Sequence, residues 1–177
     1  VKAPLLRVAI LGAESSGKST LAAALAERLG TVWVPEYLRE FVETHGRVPV
    51  AQDQFLIAST QVAREREAGA SAHGVLICDT TPLMTVLYSR HYFGGEDAPL
   101  AALAASTQYD LTLVTAPDTP WVADGLQRES EAVRQLIYRQ LLDELAARRI
   151  PHHILQGSLQ QRLAHTMPLL EALPASV

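Results

Sequence analysis

Residues Gly12 to Thr20 read GAESSGKST. An apolar run, LLRVAIL (Leu5–Leu11), precedes them, and LAAALAERLG follows. Gly12, Gly17, Lys18 and Ser19 match the spacing G-x-x-x-x-G-K-[ST]. In that pattern the glycines let the backbone curl until its N–H groups face a phosphate. The lysine reaches the β- and γ-phosphates, and the hydroxyl after it ligates Mg²⁺. A helix opening at Lys18 adds its positive end. Gly12, Ala13, Glu14, Ser15, Ser16, Gly17, Lys18, Ser19 and Thr20 are therefore expected to cradle the phosphates of a nucleoside triphosphate. Glu14 is unusual among groups that hold anions. Its side chain must turn from the phosphates, towards an acceptor or into solvent.

Outward from this loop, strand-length apolar runs alternate with helical patterns. The runs are LLRVAIL, TVWVP (Thr31–Pro35), GVLICD (Gly74–Asp79), a segment of YDLTLVTAP ending near Thr115, and PHHILQG. Helical spacing is read from Lys18 to about Leu29 and in EYLREFVETHG, QDQFLIASTQVAREREAG, PLMTVLYSRHYFGG, ESEAVRQLIYRQLLDELAARR and LQQRLAHTMPLLEAL. AALAASTQ reads as a short surface helix, and REREAG as a solvated helix face. Nearly continuous apolar strands alternating with helices imply an α/β fold, a five-stranded parallel sheet with helices on both faces. No Pro/Gly/Ser linker divides residues 1–177, which are read as a single domain.

Bulk properties exclude several classes. The 177 residues are 48% apolar and 19% charged, a globular balance. The net charge of −4 carries no basic footprint for nucleic acid. No run of roughly 18 apolar residues suggests a membrane span, and no leader pattern is read, so a cytoplasmic setting is expected. The single cysteine, Cys78, excludes an internal disulfide and reads as a buried structural thiol.

Parallel sheets bind ligands beyond the carboxyl ends of their strands. Asp79 ends VLICD and is placed to hold Mg²⁺ directly or through water, with helix capping as the plainer role. Glu36 ends the second strand. A phosphoryl acceptor hydroxyl needs a carboxylate to orient it and take its proton, and Glu36 is the candidate. Arg39, one helical turn on, would anchor substrate or form a surface ion pair. After the fourth strand, APDTPWVADGLQRES is punctuated by Pro117, Asp118, Pro120 and Gly125 and carries Trp121, Asp124 and Arg128. It reads as a lid segment whose Arg neutralises transferred charge. An ordinary loop with Trp121 packed on the core is the alternative. His152 and His153 sit in the fifth strand without a metal-ligand pattern, one expected to face the core. Tyr88, Tyr92 and Phe93 fall at helical spacing and read as packing.

GAESSGKSTL, PEYLREFV, ICDTTPLMT and YDLTLVTAPDTPWVADGLQRES resemble the ribosylnicotinamide kinase domain of the bacterial bifunctional NAD-biosynthesis regulators. The resemblance runs from about Arg7 to Pro151. It implies a P-loop, nucleoside-kinase-like fold and ATP-dependent phosphorylation of the 5′-hydroxyl of nicotinamide riboside, giving nicotinamide mononucleotide. By position it implies that Gly12–Thr20 bind ATP. Glu36, Tyr37 and Arg39 would face the riboside. Asp79 and Thr81 would lie beside metal and ribose, and Trp121, Asp124 and Arg128 would form the lid side. An aromatic residue often precedes the position of Glu36 in longer relatives; here it is Pro35, and Tyr37 or Trp121 would supply the ring contact. The helix-turn-helix and adenylyltransferase domains of those relatives are not carried over to these 177 residues. A fixed positive charge on the nicotinamide ring suits a pocket with a carboxylate and an aromatic face.

Two other readings share the phosphate loop: a kinase for another nucleoside or nucleoside monophosphate, and a regulatory ATP-binding module. A GTP switch is argued against, because the chain contains no Asn for an N-K-x-D guanine reader and DTTP stands where D-x-x-G would follow.

Overall fold

The computed structural model describes residues 4–122 and 130–174. Five strands, β1 (Leu6–Leu11), β2 (Trp33–Val34), β3 (Val75–Asp79), β4 (Leu111–Thr115) and β5 (His153–Leu155), form one sheet in the order β2-β3-β1-β4-β5. All its pairings are parallel. The helices are α1 (Lys18–Leu29), α2 (Tyr37–His45), α3 (Gln54–Gly69), α4 (Pro82–Phe93), α5 (Ala98–Ser106), α6 (Glu131–Ala147) and α7 (Leu159–Glu171). The expected elements are all present. β2 is shorter than TVWVP because Pro35 has no N–H to continue a ladder.

Side-chain alternation along the strands assigns two faces. Val8, Ile10, Ile77, Leu113 and Leu155 pack with Leu21, Leu25 and Leu163 of α1 and α7. Leu11 and Val114 pack on the other side with Leu83, Leu87, Ile137 and Leu141 of α4 and α6. These strands are apolar on both faces because helices cover both.

The caps explain where helices begin and end. α1 stops at Gly30, whose φ of 62° closes the last turn. α4 begins with Pro82 at its first position, where the missing N–H costs no hydrogen bond. Ser158 and Gln161 form a reciprocal capping box at the start of α7.

Three expectations need correction. Within REREAG, Glu65 is fully buried rather than solvated, and it accepts the Tyr109 hydroxyl at 2.9 Å. Glu65 lies on the face of α3 turned towards the sheet, while Arg66 and Glu67 beside it stay exposed as expected. His152 precedes β5, and neither it nor His153 is buried. Tyr88 does more than pack: its hydroxyl accepts the Glu14 backbone N–H at 3.2 Å, while Tyr92 and Phe93 are exposed. Cys78 is buried as expected, and burial pushes its thiol up, away from reactive thiolate.

Candidate active site

The phosphate loop leaves β1 at the carboxyl end of the sheet and enters α1. Gly12 touches β4 so closely that a Cβ there would lie 2.2 Å from Thr115 Oγ1. Any side chain would push the loop off the strand. Gly17 takes a φ of 86° at the N-cap of α1, a left-handed conformation that glycine adopts without steric cost.

Ser15 also has a positive φ, 54°, without being glycine. Three bonds fix it there. Its carbonyl accepts from Thr119 Oγ1 and from Arg134, each at 2.9 Å, and its hydroxyl donates to the Val122 carbonyl at 2.8 Å. Strain of this kind persists only where the surroundings over-determine it. Here the surroundings are the segment after β4 and the first turns of α6.

Arg162 of α7 provides a second clamp. Its guanidinium donates to the Ser16 carbonyl, to the Ala116 carbonyl at 3.0 Å and to Asp118 Oδ1 at 2.6 Å. Asp118 Oδ2 in turn accepts the Gly157 N–H at 2.7 Å. Burial tends to raise the Asp118 carboxyl, but the Gly157 N–H and Arg162 hold it below its ordinary value. Arg134 and Arg162 are both almost fully buried. Sequence reading did not select either. The helical pattern shows only a cation on a helix, and nothing local says that it reaches loop carbonyls.

Beside these clamped carbonyls lies a cleft of about 420 Å³. Glu14 to Thr20, Glu36, Arg39, Thr119, Pro120 and the Gly157–Leu159 turn surround it. Lys18 is nearly buried, and its Nζ donates to the Ala13 carbonyl at 3.2 Å.

Asp79 lies two residues beyond Ile77 and so shares the face that α1 covers. Its Oδ2 accepts the Ser19 hydroxyl at 2.7 Å. Among the described residues, its Oδ1 is buried with no hydrogen-bond partner. Burial pushes the Asp79 carboxyl above its usual range, against the opposing pull of Lys18, the Ser19 hydroxyl and Arg39. A divalent cation would satisfy the orphaned oxygen and favour the ionised form. One carboxylate, one hydroxyl and nucleotide phosphates are the donor set Mg²⁺ commonly takes, without a cage of protein ligands.

A smaller cavity of about 30 Å³ adjoins, lined by Glu36, Leu38, Gln54, Ile57, Gln61, Thr80, Met84, Thr85 and Tyr88. Glu36 lines both spaces. It is the N-cap residue of α2, half-buried, with its backbone extended.

The remaining sequence-selected residues are placed differently. The Tyr37 ring meets Phe41 edge-on, and Arg64 stacks over it at 4.8 Å from the ring centre. Thr81 is buried at the start of α4 and lines a separate cavity of about 500 Å³ with Ala9, Leu11 and Thr112. Trp121 is exposed and lines neither the phosphate cleft nor the small cavity. Asp124 and Arg128 lie outside the described residues.

A family model described as an AAA domain matches residues 7–162. The trifunctional NAD biosynthesis/regulator protein NadR of Escherichia coli strain K12 is 36% identical over 142 residues, covering 78% of this chain and 35% of NadR. The NadR of Salmonella typhimurium matches to the same extent. The chain thus spans about a third of the length of these curated relatives. Among solved structures, NadR in complex with NR superposes with a TM-score of 0.81 at 23% identity, over 97% of this chain and 52% of that one. A deoxyadenosine kinase from M. mycoides superposes with a TM-score of 0.65 at 14% identity, over 94% of this chain and all of that one. The fold is that of the P-loop nucleoside kinases. With the match spanning most of its length, the chain belongs to the AAA domain family.

Proposed function

We propose that this chain is an ATP-dependent kinase that transfers the γ-phosphoryl group to the 5′-hydroxyl of nicotinamide riboside, forming nicotinamide mononucleotide. The observation that carries this reading is the position of Glu36 on the border between the phosphate cleft and the smaller cavity. A carboxylate there can accept a proton from a hydroxyl presented to the nucleotide. The similarity to NadR, which is described as an NAD biosynthesis protein and whose solved relative holds NR, supports the acceptor.

In this reading Gly12–Thr20 hold ATP, and Lys18 neutralises charge on the β- and γ-phosphates. Ser19 and Asp79 hold Mg²⁺, which supplies Lewis-acid polarisation of the phosphoryl oxygens when bound. Glu36 takes the acceptor proton. Arg39, on the cleft wall, binds substrate. Tyr37 acts from the acceptor side, and Trp121, Asp124 and Arg128 belong to the lid; Thr81, which lines the separate cavity, takes no part. The setting we propose is the cytoplasm; among the described residues no helix is long and apolar enough to cross a membrane.

An ADP-release assay across a panel of nucleosides tests the proposal. Turnover with nicotinamide riboside well above that with other nucleosides is the expected result. Turnover with another nucleoside alone would move the acceptor, a reading favoured by the fold shared with deoxyadenosine kinase. Hydrolysis indifferent to every acceptor would replace the kinase with a regulatory ATPase.

A further inference from the structure

The pairing of β2 with β3 ends abruptly. Trp33 lies opposite Ile77 and Val34 opposite Cys78. The next pair in this register would be Pro35 and Asp79. Pro35 has no N–H to give, so the ladder stops one residue short of Asp79 and two short of Glu36. Glu36 follows Pro35, and Asp79 ends β3. Nothing in the sheet itself therefore fixes one of these acids relative to the other.

Gln61 of α3 bridges this gap. Its Nε2 donates to the Pro35 carbonyl at 3.1 Å and to the Asp79 carbonyl at 3.3 Å. Its Oε1 accepts the Tyr37 backbone N–H at 2.8 Å. The side chain is 3% exposed. The amide's orientation is unambiguous. Two carbonyls can only accept and the Tyr37 N–H can only donate, so nitrogen must face the former and oxygen the latter. Both amide hydrogens are used, one on each strand end. Glu36 is thus held between two residues that the same side chain grips.

We infer that Gln61 is a positioning residue, replacing the missing ladder step and setting the register of Glu36 against Asp79 for phosphoryl transfer. The inference rests on the kinase reading for its catalytic consequence, but the strut itself is testable without turnover. Gln61 touches no phosphate-loop residue through these bonds, so ATP binding is separable from it. Transfer is sensitive to displacement on this scale: a shift of about 1 Å can cost roughly 10²-fold in rate.

Two variants divide the three bonds. Gln61→Leu keeps similar bulk and removes them all. Gln61→Glu keeps the acceptor for Tyr37 but loses the paired donors to Pro35 and Asp79. Amide hydrogen exchange at Tyr37, ATP affinity, melting temperature and the kcat and KM of transfer are measured on each. The expected result for Gln61→Leu is loss of Tyr37 protection and a kcat lowered about 10²-fold, with ATP affinity within twofold of the parent. Gln61→Glu is expected to retain Tyr37 protection and still lose kcat; should the leucine variant fail to fold, this variant carries the test. Unchanged kcat in a folded variant would overturn the inference. So would a parallel fall of kcat, ATP affinity and melting temperature, which marks a merely structural residue. If the parent chain shows no acceptor-dependent turnover, the kinase reading fails. The strut then stands or falls on Tyr37 exchange in Gln61→Leu, where retained protection overturns it.

Discussion

The Ser19 hydroxyl donates to Asp79 Oδ2 at 2.7 Å, while Asp79 Oδ1 is buried with no hydrogen-bond partner among the described residues. The two residues are 60 positions apart and meet because α1 begins over the face of β3 that carries Asp79. In the proposed kinase a divalent cation would satisfy this oxygen. Asp79→Asn is expected to lower turnover about 10²-fold or more, the scale of losing one preorganised electrostatic contact to the transition state. Its Mg²⁺ requirement should rise as well. Turnover titrated against Mg²⁺ in both proteins checks this; an unchanged Mg²⁺ curve would return Asp79 to a structural role.

The role proposed for Glu36 separates proton transfer from nucleotide binding. Glu36→Gln keeps size and hydrogen bonding but cannot accept the proton at neutral pH. Turnover should fall about 10²-fold or more, with ATP affinity unchanged by equilibrium titration. A loss of ATP affinity with intact kcat would assign Glu36 to the donor side.

Arg162 tests how the loop is held. Arg162→Leu removes the donors to Ser16, Ala116 and Asp118 together. Each buried carbonyl left unpaired costs about 1–3 kcal/mol. The melting temperature should drop by several degrees, at about 2–4 °C per kcal/mol for a chain of this size. The KM for ATP should rise with it. Arg162→Lys should recover little, because one ammonium cannot reproduce the planar fork.

Glu65 makes stability pH-dependent. Burial raises its carboxyl above the ordinary value, outweighing the Tyr109 hydroxyl, Arg7 and Cys78. The folded state therefore holds this proton to higher pH than the unfolded chain does. Stability from this group is present below the unfolded value and is lost as pH rises through the raised folded value. Glu65→Gln should flatten that decline. Melting temperatures of both proteins across mildly acid to neutral pH give the comparison; parallel curves would show that Glu65 ionises freely.

Much of this was legible in the residues. Alternating apolar runs and helical spacings pointed to the five strands, and GAESSGKST pointed to the loop between β1 and α1 that lines the larger cleft. Asp79 was legible as the acid that ends β3, while Glu36, read as ending the second strand, stands two residues beyond β2 at the N-cap of α2, because Pro35 stops the strand. Glu65 was not, because its sequence neighbours are charged and only packing against Tyr109 shows it to be buried.

Sequence by itself determined the local chemistry: which backbone can curl around a phosphate, which strands are apolar on both faces, which acids follow them. Only the tertiary structure decided what holds that chemistry in place. Arg134 and Arg162 reach the carbonyls of Ser15 and Ser16 from helices more than a hundred residues away along the chain. Gln61 joins Pro35, Tyr37 and Asp79. Each contact depends on a side chain crossing from one element to the backbone of another. Backbone acceptors leave no signature in a sequence, so these partners become visible only once the chain has folded.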